Sequence, residues 1–196
     1  MGADGQPCDV NVPEGRHIND YRTRANSSQA TWDAADVKRN HYDPATSAMR
    51  QGYYSRSVKA DLSFVMSSWP NYYPVLEALI TYDLSGGQQY DFPTTLCYLE
   101  RAKAAFPDDA KVLLLEGYYF WKKKEQERAI SAYEDALNLD PDARDAHYSL
   151  GLIYLDMGQF DKAREHAKAA YDAGYPLGGL RNKLAKAGYP LAAASP

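Results

Sequence analysis

Sulfur is scarce in this chain. Its 196 residues include two cysteines, Cys8 and Cys97, whose separation fits neither a metal knuckle nor a Cys-x-x-Cys redox pair. Two readings stay open for them. One is a single bridge closing a long loop, which implies an oxidising compartment. The other is two unrelated thiols. The four histidines, His17, His41, His147 and His166, are scattered. There is no glycine-rich phosphate loop and no nucleophile elbow. No apolar run approaches the roughly 20 residues that cross a bilayer. Met1 to Gly5 lacks the apolar segment of a secretory leader, and whether a leader once preceded it stays open. Charge of one sign is also missing, with 22 basic against 26 acidic side chains. A phosphate-backbone binder needs a concentrated positive face. The one basic run, Lys122 to Lys124, is followed by Glu125 and Glu127 and reads as a solvated helix end. The expectation is a protein without catalysis, cofactor or metal site, with no nucleic-acid partner and no membrane span.

What the chain does have is a period. Gly117, Ala129, Ala136 and Pro141 are answered 34 residues later by Gly151, Ala163, Ala170 and Tyr175. Such a period marks stacked helix–turn–helix units. Between 110 and 143, Leu113, Leu114, Gly117, Phe120 and Trp121 recur at helical spacing, predicting a first helix over about 111–123. Ala129, Ala132, Tyr133 and Ala136 face inward from a second over about 125–138. The small residues let antiparallel helices approach, and Asp140-Pro141 stops the second helix. Residues 144–177 repeat the plan, with Leu150, Gly151 and Tyr154, a turn at Gly158, a stripe of Ala163, Ala167 and Ala170, and a stop at Gly174-Tyr175-Pro176.

Trp69-Pro70 and Phe106-Pro107 punctuate an earlier unit 37 residues long. Its first helix is expected over about 74–84. A second follows, with Pro93 in its first turn and Leu96, Leu99 and Ala102 inward. Val58, Leu62, Val65, Met66 and Trp69 form another stripe, and Asp43-Pro44 reads as the cap and first position of a short helix to about 50. Leu180 and Leu184 suggest a terminal amphipathic helix over about 178–187. Helices with one polar face at both ends are what a helical stack requires. Residues 1–31 carry no periodicity and read as an extended arm. His147 stands at a helix-packing position and reads as a satisfied core or interface histidine. His166 is expected on an exposed helix face, and His41 near a helix start. Asp140 and Asp142 read as turn caps. The 17 tyrosines fit either packing or an interaction surface.

His147-x-x-Leu150-Gly151-x-x-Tyr154 followed by Ala163 resembles the tetratricopeptide repeat (TPR) signature. Leu113, Gly117, Phe120, Ala129, Tyr133, Ala136 and Pro141 resemble it again. His147 departs from the usual tryptophan, Glu116 from the usual leucine and Ala167 from the usual aromatic. The resemblance implies an all-α solenoid of antiparallel helix pairs in a right-handed superhelix. Its parts are an arm (1–31), N-terminal capping helices or a half-repeat (32–70), a degenerate repeat (71–109), two repeats (110–143 and 144–177) and a C-terminal capping helix and tail (178–196). It also implies a concave groove lined by the first helices. Lys111, Leu114, Tyr118, Trp121 and Lys122 would face that groove from one repeat, and Asp145, Tyr148, Leu152, Leu155 and Asp156 from the next. Glu77 and Thr81 or Leu84 would add to it. Few of these are the Lys and Asn of a chaperone-tail clamp. An aromatic floor with charged rims suits a partner peptide or helix. Packing between repeats, or cover by the arm, accounts for the same aromatics.

The expected function is a non-catalytic adaptor or scaffold. One alternative is a structural envelope or extracellular subunit that self-associates through its helical stack. Another is an enzyme accessory with a closed polar pocket. The polar arm with its cysteine, and the second cysteine in the first repeat, resemble small exported bacterial TPR proteins. That implies a periplasmic or extracellular location, with the cytoplasm as the alternative.

Overall fold

The computed structural model describes residues 36–87 and 92–191 together with Cys8, Asp20 and Arg22. Every regular element among them is helical. A π-helical turn, Lys38–Tyr42, runs into α1 (Asp43–Arg50). There follow α2 (Arg56–Ser68), α3 (Tyr73–Leu84), α4 (Thr95–Ala105), α5 (Ala110–Lys122), α6 (Gln126–Leu139), α7 (Arg144–Asp156), α8 (Phe160–Asp172) and α9 (Gly179–Lys186). The chain divides into two compact units, Met1–Leu115 and Glu116–Pro196, with the boundary inside α5.

In the first unit α2 packs on α1 and α3, and α3 on α4. The core is the expected apolar stripe of α2, together with Val75, Leu76, Leu79, Ile80 and Tyr82 of α3 and Leu99 of α4, all buried. Each large aliphatic side chain removed from water contributes about 1.5–3 kcal/mol. Two expected helix starts differ in detail. Asp43 does not cap α1, because the π turn already makes Tyr42 helical (φ −68°, ψ −51°); its carboxylate instead pairs with Lys38 at 2.7 Å. Pro93 lies outside α4. Thr94 is the cap, its hydroxyl accepting the Cys97 N–H at 3.2 Å. A hydroxyl acceptor satisfies an otherwise orphaned N–H, which proline cannot do.

The described arm residues are tied to this unit. Cys8 pairs with Cys97 at disulfide distance, with Cα atoms 5.4 Å apart. Arg22 donates to Asp20 at 2.7 Å and to Asp108 at 3.0 Å. The buried Asn71 amide donates to both Asp20 and Asp109, each at 2.8 Å, and the Tyr73 hydroxyl donates to Asp109. Burial alone would raise the Asp20 carboxyl, but the hydrogen bonds from Arg22 and Asn71 outweigh it and hold the group below the usual carboxylate range. The rest of the expected arm, and residues 192–196 of the expected tail, lie outside the described residues.

In the second unit α6 packs on α7, α7 on α8, and α9 on both α7 and α8. The alanine stripes of α6 and α8 are buried as expected, and Leu180 and Leu184 seat α9. The two predicted small positions work differently. A Cβ at Gly151 would lie 3.4 Å from the Ala163 carbonyl, 3.5 Å from the Ala167 nitrogen and 2.5 Å from Leu180, so this glycine lets α7 approach the α8 backbone. A Cβ at Gly117 would meet the Tyr133 ring at 2.7 Å. There the space goes to an aromatic rather than to a helix backbone.

The 34-residue offset extends to turn conformation. Glu125 N–H bonds the Phe120 carbonyl at 3.0 Å and Gln159 N–H the Tyr154 carbonyl at 2.8 Å. The left-handed position before each is Lys124 (φ 65°) in one repeat and Gly158 (φ 72°) in the next. A side chain in that region costs about 1–2 kcal/mol, part of which glycine gives back as unfolded-state entropy. Lys124→Gly is therefore expected to stabilise the protein by about 0.5–1 kcal/mol, read as a raised thermal midpoint. A lower midpoint would contradict this assignment of strain.

Candidate functional site

The second unit carries a cluster of tyrosines that forms a floor. Tyr133 is buried beneath it. Burial pushes its hydroxyl up to about 12, Tyr118, Asp145 and Tyr175 adding to the rise and a hydrogen bond with Ser149 opposing it. Tyr148 of α7 stacks on Tyr175, with centroids 3.9 Å apart and planes 15° apart. Burial also raises both of these hydroxyls. Tyr118 of α5 is 40% exposed. Lys122 holds its ammonium 5.4 Å from the Tyr118 ring and 5.5 Å from Trp121. Asp145 and Asp156 are exposed, and Leu152 and Leu155 are half-buried. The Tyr148–Tyr175 stack, with Tyr118 and Asp145 near Tyr133 and Lys122 beside Tyr118, thus offers phenol hydroxyls, apolar ring faces, an ammonium and a carboxylate. These are groups for holding a ligand by hydrogen bonds and apolar contact.

Lys111 and Leu114, the other two groove positions, lie half-buried on the first turns of α5 in the first unit. The first unit holds a cleft of its own, of about 380 Å³. Glu77 and Thr81, both expected to face a groove, line it, and Leu84 does not. The opposite wall is Tyr42, Thr46 and Arg50 of the π turn and α1, with Tyr54 beyond. Sequence reasoning missed this wall. Its signal was the spacing of 42, 46 and 50, one face of a helix. Tyr175 was read only as part of a helix stop, although it holds Tyr148. His166 requires a correction. It is half-buried rather than exposed, because its ring packs against Tyr154 and His147. His147 is half-buried in that same pair.

Successive antiparallel helix pairs with buried small residues at a fixed period define a helical-repeat protein. Residues 117–166 match the family model described as TPR repeat. Protein bimA of Emericella nidulans is 31% identical over 86 residues, which cover 44% of this chain and 11% of that protein. Cellulose synthase operon protein C of Pseudomonas fluorescens is 38% identical over 66 residues, 33% of this chain and 5% of that protein. The matched parts are thus about a tenth or less of these relatives' length. Residues 117–166 are thus similar to TPR repeats, which serve in general as protein–protein interaction modules. Among the described residues, no helix is long and apolar enough to cross a membrane.

Proposed function

We propose that this protein is an adaptor or scaffold that holds a peptide or helix of a partner protein against the tyrosine floor of its last two repeats. The observation that carries this reading is the exposed Tyr118, set beside Trp121 and Lys122, with the Tyr148–Tyr175 stack and Leu152 following on α7 and its neighbour. Rigid aromatics lose little conformational entropy on binding and dominate interface energetics. The Cys8–Cys97 pair supports placement in an oxidising compartment, since such bonds persist outside the reducing cytosol.

The test is affinity capture from the source cell with wild type and with Tyr118→Ala/Leu152→Ala. Both side chains reach solvent, and neither belongs to the Tyr148 stack. Captured partner should fall by about tenfold or more, the scale of losing one interface hot spot, while the thermal midpoint stays within a few degrees. Equal capture by the two proteins would remove the floor from consideration.

A further inference from the structure

We infer that His147 and His166 form an acid-sensitive latch between the two helices of the last repeat, α7 and α8. Their Nδ1 atoms are 3.0 Å apart and their ring centroids 5.3 Å. The centroid separation exceeds the nitrogen separation by about two ring radii, so the nitrogens face each other nearly head-on. That is the geometry of one hydrogen bond with one proton in it. His147 Nε2 lies 3.1 Å from the Pro141 carbonyl. A carbonyl only accepts, so Nε2 carries a hydrogen. In the neutral pair His147 Nδ1 is then a bare acceptor, and His166 Nδ1–H donates to it. The residue that departs from the family's usual tryptophan thus joins three segments: the α6–α7 turn, α7 and α8.

Proton counting gives the switch. One added proton leaves a single imidazolium sharing the Nδ1–Nδ1 bond with a neutral ring. A second sets N–H against N–H and positive charge against positive charge, so the bond cannot persist. The environment works against that second proton. Burial lowers the His166 pKa first, then His147, and Lys162 of α8 adds to them while Glu165 opposes. From α6, Glu134 reaches the site by accepting the Tyr154 hydroxyl at 3.3 Å, and the Tyr154 ring stacks on His166. The α6–α7 turn presents the Pro141 carbonyl, and α9 packs Leu180 over Gly151.

A base whose folded pKa is depressed contributes stability that is present in full above its unfolded value, about 6.5, and lost as pH falls through the folded value. The latch is closed near neutrality and opens in acid. Tyr175 follows α8 and stacks on Tyr148 of α7, so separating the helices also parts the tyrosine floor. The latch itself does not depend on what that floor binds.

The experiment follows the imidazole nitrogens of the full chain by 15N NMR from pH 8 to 4, alongside thermal midpoints at the two ends. In wild type the two rings should titrate as one coupled pair whose lower step falls below that of an ordinary histidine. His166→Asn keeps an amide near Nδ1 that takes no proton, so it should lose less midpoint between pH 8 and 4 than wild type does. Independent titration of both rings at the ordinary value would overturn the latch. So would equal acid losses in wild type and variant. If the variant does not fold, the wild-type titration decides alone.

Discussion

Reducing the Cys8–Cys97 pair is expected to remove about 4–5 kcal/mol of stability from the Met1–Leu115 unit, the chain-entropy value for a loop of this length. The two cysteines are separated by 89 positions. One anchor is firm. Cys97 is buried in the first turn of α4, its N–H held by the Thr94 cap. Once the link opens, the described ties of the arm to the rest of the unit include the ion pairs of Arg22 with Asp108 and Asp109, its approach to the Phe106 ring and the Asn71 amide bonded to Asp20. Arg22 and Asp108 are partly or largely exposed, and exposed ion pairs contribute about 0–1 kcal/mol. They cannot replace a covalent closure. Denaturant unfolding with and without a phosphine reductant measures the difference, and Cys8→Ser supplies the same comparison without reagent. An unchanged midpoint under both treatments would show that the link carries no stability.

The fold was legible where its causes are local. Gly117, Ala129, Gly151 and Ala163 are small because helices or rings lie against them, and a fixed offset exposes that necessity in the sequence. Helix stops at Asp140-Pro141 and Gly174 follow from backbone chemistry alone. For the candidate site, the repeat period let solvent-reaching positions be read. Tyr118, Trp121, Lys122, Asp145, Tyr148, Leu152, Leu155 and Asp156 all reach solvent at least in part. The rest depended on partners distant in sequence. Nothing within α8 announces that His166 meets His147, 19 positions away. Nor does α1 announce that its Tyr42, Thr46 and Arg50 close a cleft with Glu77 and Thr81. The two readings of the cysteines could not be separated by spacing either, because the geometry that joins them is tertiary.

Lys59 follows Val58 on α2 and is enclosed with the apolar stripe. It is 0% exposed, and among the described residues its ammonium has no hydrogen-bond partner. It lies 5.4 Å from the Tyr82 ring of α3 and 5.7 Å from the Tyr98 ring of α4. The helices that enclose it come from later in the chain. Burial pushes its pKa down to about 8, with the Asp83 charge partly restoring it. The folded value is below the unfolded one, so the unfolded chain binds more protons between about pH 8 and 10.5, and stability rises with pH across that window. Below about pH 8 the penalty is complete. The fall from 10.5 to about 8 corresponds to about 3 kcal/mol. Lys59→Met keeps most of the length of the side chain, removes the charge and brings a sulfur toward two aromatic rings. It forfeits cation–π attraction of about 1–2 kcal/mol. The expected net gain at pH 7 is about 1–2 kcal/mol, and the gap from wild type should narrow as pH approaches 10.5. Thermal midpoints of both proteins at pH 7 and pH 10 test it. A methionine variant no more stable than wild type at pH 7, or a gap that ignores pH, would mean that the two tyrosines fully compensate the buried charge.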